Sequence, residues 1–168
     1  MSNSTTTSRH NGTSSHTEAL VPPTPQLREP FLEVLRELAG GYQAFTVYSD
    51  THVRKMGLTP PQFDVIATLG NTAGMTMNVL AEKTLVTKGT LTGIVDRLQD
   101  KGLVRREVPP ENRRCFLIVL TPEGEQVFRE TFPAQIAHLK ERFDQLDPED
   151  LVTLKTSLRK LRLLFQQG

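Results

Sequence analysis

The sequence predicts a mainly α-helical chain with one short β-hairpin, the hairpin lying between helices on both sides. Three observations predict it. Apolar residues recur at three- and four-residue spacing through most of the 168 residues, the period of helices buried on one face. Between residues 103 and 120 the pattern changes. Two β-prone runs, Leu103 to Val108 and Cys115 to Leu120, are parted there by Pro109, Pro110 and Asn112, as in a hairpin. Two short helical stretches stand immediately before that hairpin.

The first 25 residues are almost all Ser, Thr, Asn, His, Gly and Pro. Such a segment buries too little apolar surface to offset its ordering entropy, and it is expected to be disordered. It has neither the basic start nor the apolar run of a signal peptide, and no later segment approaches ~18 consecutive apolar residues. A soluble cytoplasmic protein with no membrane partner is expected. The single cysteine, Cys115, excludes an internal disulfide framework and a cysteine-rich zinc site. Net charge is only +1. Between residues 76 and 115, however, eight lysines and arginines stand against five acids, a net of 8 − 5 = +3. An anion-binding surface is expected in that segment.

A long helix is expected over residues 27 to 56. Phe31, Leu35, Leu38, Tyr42, Phe45, Val53 and Met56 keep mostly to one side of it. Gly40 and Gly41 can bend it, and Gly57 ends it. In "LTPPQFDVIATLGN" Thr59 is a good N-cap and Pro60 suits the first helical position. Phe63, Ile66, Ala67 and Gly70 form the expected inner stripe. Thr76 can cap a short third helix with Val79, Leu80 and Leu85 inward. Thr87 can cap a fourth, which runs to about Lys101 and stops at Gly102 in a left-handed turn. Two short helices in close succession match the helix-turn-helix plan, and a hairpin directly after them is a wing. The second hairpin run is almost wholly apolar, so cover on both sides is expected. Thr121 caps the next helix, with Pro122 first and Glu123 near its positive end. That helix should reach about residue 145, kinked at Pro133. Asp147-Pro148 starts the last helix, whose stripe is Leu151, Leu154, Leu158, Leu161 and Phe165, widened by Leu163 and Leu164.

The fourth helix, "TLVTKGTLTGIVDRL", carries two glycines, each costing roughly 1 kcal/mol relative to alanine. Advancing 100° per residue from Leu91 places Ile94, Val95 and Leu98 on the inner side. Gly89, Thr92, Gly93, Asp96 and Arg97 fall on the far side, with Thr90 at its edge. The glycines therefore leave room for something outside the protein to approach the backbone. A DNA major groove admits a helix, and small residues remove bulk where its wall is tight. Lys88, Thr90, Thr92 and Arg97 supply donors around that bare strip. At the hairpin tip, Arg113 and Arg114 can enter a minor groove, where a narrow A·T stretch concentrates negative potential. A merely solvated helix face and a solvated turn are the plain alternatives.

Three stretches together resemble the MarR family of winged helix-turn-helix regulators: "GLTPPQFDVIATLG", "MNVLAEKTLVTKGTLTGIVDRLQDKGLVRRE" and "ENRRCFLIVLTPEG". The resemblance runs from about residue 30 to the end. The family's wing pattern, Asp-x-Arg followed by a strand ending Leu-Thr-x-x-Gly, falls on Asn112, Arg114, Leu120, Thr121 and Gly124. Asn112 stands where the family has Asp, a neutral acceptor replacing a charged one. The resemblance implies that Arg114 is the minor-groove residue and that Thr87, Lys88, Thr90, Thr92 and Arg97 lie on the DNA-reading helix.

It also implies a homodimer on a near-palindromic site in double-stranded DNA. The leucine-rich last helix agrees, since so large an apolar patch usually marks an interface. The expected organisation is a disordered tail over 1–25 and an N-terminal dimerisation helix over 26–57. A winged helix-turn-helix DNA-binding domain over 58–121 and C-terminal dimerisation helices over 122–168 follow.

Family members often release DNA when a small aromatic or phenolic acid binds between the dimerisation helices and the winged domain. The expectation that follows is a repressor that leaves its operator when such a ligand binds. Tyr48 and His52, one turn apart near the edge of the first helix's stripe, are the candidates to hydrogen-bond a carboxylate or phenol. A tyrosine and histidine satisfied at a dimer seam is the plainer reading. Redox sensing by Cys115, activated by Arg113 and Arg114, and a winged helix that binds protein instead of DNA are the alternatives. The histidines lack a metal-ligand cluster. No phosphate loop, metal run or nucleophile motif points to an enzyme or a cofactor.

Overall fold

The computed structural model describes residues 29–84, 86–108 and 116–166. The tail, Leu85, Lys88 beyond its backbone, and residues 109–115 lie outside the described residues. The chain divides by contacts into two units, residues 1–37 and 38–168. Of the first, the described part is the opening of helix α1 (Pro30–Lys55), where every side chain from Phe31 to Glu37 is exposed.

The second unit holds the remainder of α1 and all later elements. These are α2 (Pro60–Leu69), β1 (Met75–Thr76), α3 (Met77–Lys83), α4 (Lys88–Asp100), β2 (Val104–Glu107), β3 (Leu117–Leu120), α5 (Pro122–Phe143) and α6 (Pro148–Phe165). The strands form one antiparallel sheet in the order β1-β3-β2. In the wing, Val104 pairs with Leu120 and Arg106 with Ile118. On the other edge, Met75 pairs with Ile118 and Thr76 with Leu117. The sequence reading did not include β1; it is too short for an alternating pattern to show.

One apolar cluster holds this unit together. Val53, Val65, Ile66, Leu69, Leu80, Leu91, Val95, Leu98, Val104 and Ile118 are all essentially inaccessible to solvent. Burial of each such side chain contributes about 1.5–3 kcal/mol. The strand β3 is covered as its composition requires, with Ile118, Val119 and Leu120 buried.

Helix starts follow the sequence closely. Thr59 caps α2 by accepting from the Gln62 amide, and Gln62 Oε1 accepts from the Thr59 amide at 3.1 Å, a reciprocal capping box. Thr76 Oγ1 accepts from Val79 N at 3.4 Å. Thr121 Oγ1 accepts from Gly124 N at 3.0 Å. Gly102, in the left-handed region at φ +72°, stops α4. Helix α5 continues past the exposed Pro133 without interruption.

Two expected stripes need correction. In α2 the buried positions are Gln62, Val65, Ile66 and Leu69, whereas Phe63, Ala67 and Gly70 are half-buried. Gln62, held in the capping box, is buried on the same side as Val65, Ile66 and Leu69. In α3 Val79 is exposed, and Leu80 is buried with Met77 and Ala81 packed beside it. Those three share one face at three- and four-residue spacing.

The junction of wing and α5 is tight. Thr121 Oγ1 donates to Gly102 O at 2.6 Å, and Thr121 N donates to Leu103 O at 3.1 Å. A Cβ added at Gly124 would lie 2.0 Å from the same Leu103 carbonyl oxygen. The pattern Leu-Thr-x-x-Gly is thus a cap, a tether and a close backbone approach in five residues.

Candidate nucleic-acid interface

Helix α4 is built as the periodicity requires. Leu91, Ile94, Val95 and Leu98 are buried and fix which side faces out. Opposite them, Gly89, Thr90, Thr92, Asp96 and Arg97 are exposed and Gly93 is half-buried. A Cβ added at Gly89 or Gly93 would meet no atom within 4 Å. Among the described residues, packing requires neither glycine.

At the start of α4, Thr87 is the N-cap residue but makes no side-chain cap bond. Its hydroxyl instead bonds the Thr90 hydroxyl at 2.9 Å. The helix therefore begins with backbone N–H groups not occupied by that side chain. Positive helix ends of this kind favour phosphate oxygens. Thr87, Gly89, Thr90, Thr92, Gly93 and Arg97 are brought together along the exposed side of one helix. Lys88 opens that helix, and its side chain lies outside the described residues. Arg113, Arg114, Asn112 and Cys115 also lie outside them.

The described part of the wing carries two arginines that the sequence reading left unassigned. Arg105 pairs with Glu107, Nε to Oε1 at 2.7 Å, and donates to Leu120 O at 3.3 Å. Arg106 reaches from β2 to α4. Its Nη1 donates to Gln99 Oε1 at 2.8 Å and its Nη2 pairs with the Asp96 carboxylate. Their only signal in the sequence was a pair of adjacent arginines, which reads equally well as a solvated edge.

Tyr48 and His52 sit on α1 against α5, in a ring ladder whose third member is His138, which in sequence stands as an isolated histidine far from His52. The His138 ring stacks on Tyr48 at 4.1 Å between centroids and on His52 at 4.0 Å. Tyr48 OH donates to His138 O at 3.0 Å, and Arg142 lies over the tyrosine ring, 4.8 Å from its centroid. His52 Nδ1 bonds Gln135 Oε1 at 2.7 Å, and the buried Gln135 donates from Nε2 to Ser49 Oγ at 2.9 Å. The polar atoms expected to meet a ligand are thus engaged in tying α1 to α5. Tyr48, His52 and His138 also line a hollow of about 650 Å³ with Gln43, Thr51 and Lys55. A second hollow of about 360 Å³ lies where α1, α2 and α5 meet, lined by Phe45, Ser49, Val53, Phe63, Phe132 and Gln135 among others.

A helix-turn-helix whose second helix offers a bare, donor-edged outer face, followed by an antiparallel hairpin, defines a winged-helix DNA-binding transcription regulator. The MarR family model matches residues 56–114. The HTH-type transcriptional regulator YsmB of Bacillus subtilis (strain 168), itself described as uncharacterized, is 32% identical over 110 residues. That match spans 66% of this chain and 75% of YsmB. The protein belongs to the MarR family. Among solved structures, Sco3205, a MarR family transcriptional regulator from Streptomyces coelicolor determined in complex with DNA, superposes with a TM-score of 0.73 at 25% identity. It covers 83% of this chain and 91% of its own. BpsR of Bordetella bronchiseptica, whose DNA binding is regulated by 6-hydroxynicotinic acid, superposes with a TM-score of 0.70 at 25% identity. It covers 80% of this chain and 96% of its own. Among the described residues, no helix is long and apolar enough to cross a membrane.

Proposed function

We propose that this regulator lays the outer face of α4 in a DNA major groove, with Gly89 and Gly93 letting its backbone approach and Thr87, Lys88, Thr90, Thr92 and Arg97 meeting phosphates and base edges. The wing follows, with Arg113 and Arg114 reaching the adjacent minor groove. The observation that carries this reading is the glycine pair, exposed to half-buried, with open space where each side chain would be. Each glycine costs a helix about 1 kcal/mol, and no contact among the described residues offsets it. The DNA complex of Sco3205 supports the same use of the fold.

The active form is a homodimer on a near-palindromic operator, with half-sites about one helical turn apart. It acts as a repressor, released when a small aromatic or phenolic acid binds between the dimerisation helices and the winged domain, beside Tyr48 and His52. The regulation of BpsR by 6-hydroxynicotinic acid and the hollows beside Tyr48, His52 and Gln135 support that reading. A cytoplasmic location follows from DNA as the partner.

The test is selection of bound fragments from sheared genomic DNA, followed by binding measurements on the selected site at several salt concentrations. Binding should weaken with log salt by roughly 0.9 per neutralised phosphate. Arg97→Ala should lower affinity and reduce that slope by about 1. Wild-type affinity and slope in a folded Arg97→Ala protein would remove Arg97 from the interface. Failure to retain any duplex at low salt would favour a protein partner.

A further inference from the structure

We infer that Arg106 is a positioning residue: a strut that sets the angle between the wing and the DNA-reading helix while cancelling the charge of Asp96 on that helix's exposed side. The inference rests on the reading that α4 and the wing meet one duplex together.

The strut arises from register. Strand β2 is the outer edge of the sheet. Val104 on it is buried, and Arg106, two residues on, points to the same side of the strand. Its cross-strand partner Ile118 is still buried in the core, and the Arg106 side chain runs past that edge of the core to α4. There the guanidinium meets two acceptors one helical turn apart, Asp96 and Gln99. A planar fork holding two acceptors on one helix fixes orientation as well as distance, which a lysine could not do. The Arg106 side chain is 33% exposed and that of Asp96 51%. A pair so open to water contributes little to folding stability, so geometry and local charge are what it can control.

Both matter for a duplex. Among the described residues, only β1 pairs with the hairpin from outside, and through two residue pairs. Without the strut its swing would be limited mainly by the buried side chains at its base. Asp96 lies on the outer side of α4 with Gly89, Thr92, Gly93 and Arg97, where an unpaired carboxylate would repel phosphate. The Arg106 pair turns that repulsion off.

The experiment compares wild type, Arg106→Gln, Asp96→Asn and the double variant on one operator duplex across a salt series. Circular dichroism spectra and Tm verify folding. The strut predicts that each single variant binds more weakly, on the order of tenfold, and that the double variant is no worse than either single one. It also predicts a salt slope unchanged from wild type in the double variant, where neither charge remains to act on phosphate. A slope lower by about 1 would make Arg106 a direct phosphate contact and overturn the proposal. So would tighter binding by Asp96→Asn, the result expected if the carboxylate only repels DNA, or additive losses in the double variant. If Arg106→Gln unfolds, Asp96→Asn, which removes a charge from an exposed side chain, carries the test. Wild type is measured first; if it fails to bind duplex, the interface reading fails and the strut is not what has been refuted.

Discussion

At the scale of single residues, the sharpest constraints are on glycines, and they are of opposite kinds. Gly124 is held by the fold, because the Leu103 carbonyl oxygen occupies the place of its side chain. Backbone cannot give way as a flexible side chain can. Gly124→Ala should therefore destabilise the protein by about 1–3 kcal/mol or more, read as a clear drop in Tm. Gly89 and Gly93 meet nothing. Gly89→Ala and Gly93→Ala should each stabilise α4 by about 1 kcal/mol and raise Tm, while affinity for operator DNA falls. Gly93→Leu should abolish tight binding by bulk and leave the protein folded. Unchanged DNA affinity in a folded Gly93→Leu protein would mean that the groove wall does not approach this helix closely.

At the scale of elements, legibility followed period and length. Helix α4 was readable because four apolar residues at helical spacing define one side without ambiguity, and the far side follows by subtraction. The threonine caps of α2, α3 and α5 were readable because a hydroxyl before a helical run meets the first free amides. The stripe of α2 was not, because Gln62 is polar in sequence yet buried by its own capping bond. The short helix α3 has room for only one fully inward position, and Leu80 took it from Val79. Strand β1 escaped because two residues carry no period. The Tyr48–His138–His52 ladder and the Arg106 strut escaped for a different reason. Their partners are 90, 86 and 10 residues apart, if measured from Tyr48 and His52 to His138 and from Asp96 to Arg106, and no local pattern marks a contact made across the fold. The ladder also bears on regulation. Tyr48→Phe removes the hydroxyl that donates to the His138 carbonyl while keeping the ring. It should loosen α1 against α5, detectable as faster amide exchange in both helices, with α4 unaffected.

At the scale of the whole molecule, the notable quantity is what a single chain leaves uncovered. Helix α6 has no buried residue, and Leu154, Leu158, Leu163, Leu164 and Phe165 are exposed on it. Phe31, Leu35, Tyr42 and Phe45 of α1 and Ile136 and Phe143 of α5 are exposed as well. Apolar surface on that scale is uncommon in a lone soluble chain. The proposed homodimer would cover it with a copy of itself. Leu154→Glu combined with Leu158→Glu should shift sedimentation from a dimer toward a monomer and reduce operator affinity together. A wild-type protein that sediments as a monomer at micromolar concentration would refute the two-fold assembly and the near-palindromic site with it.

The Thr121 junction has a mechanical consequence. The end of α4, the base of the wing and the start of α5 are joined there through Gly102, Leu103, Thr121 and Gly124 within a few ångströms, with no slack loop between them. Helix α5 extends from that point for 22 residues, about 33 Å at 1.5 Å each. In the proposed DNA-bound form, such a helix would serve as a lever anchored at that rigid junction. On the proposed reading, a sideways displacement of α5 at Gln135 and His138, beyond its midpoint, would reach the duplex as a rotation of α4 and the wing.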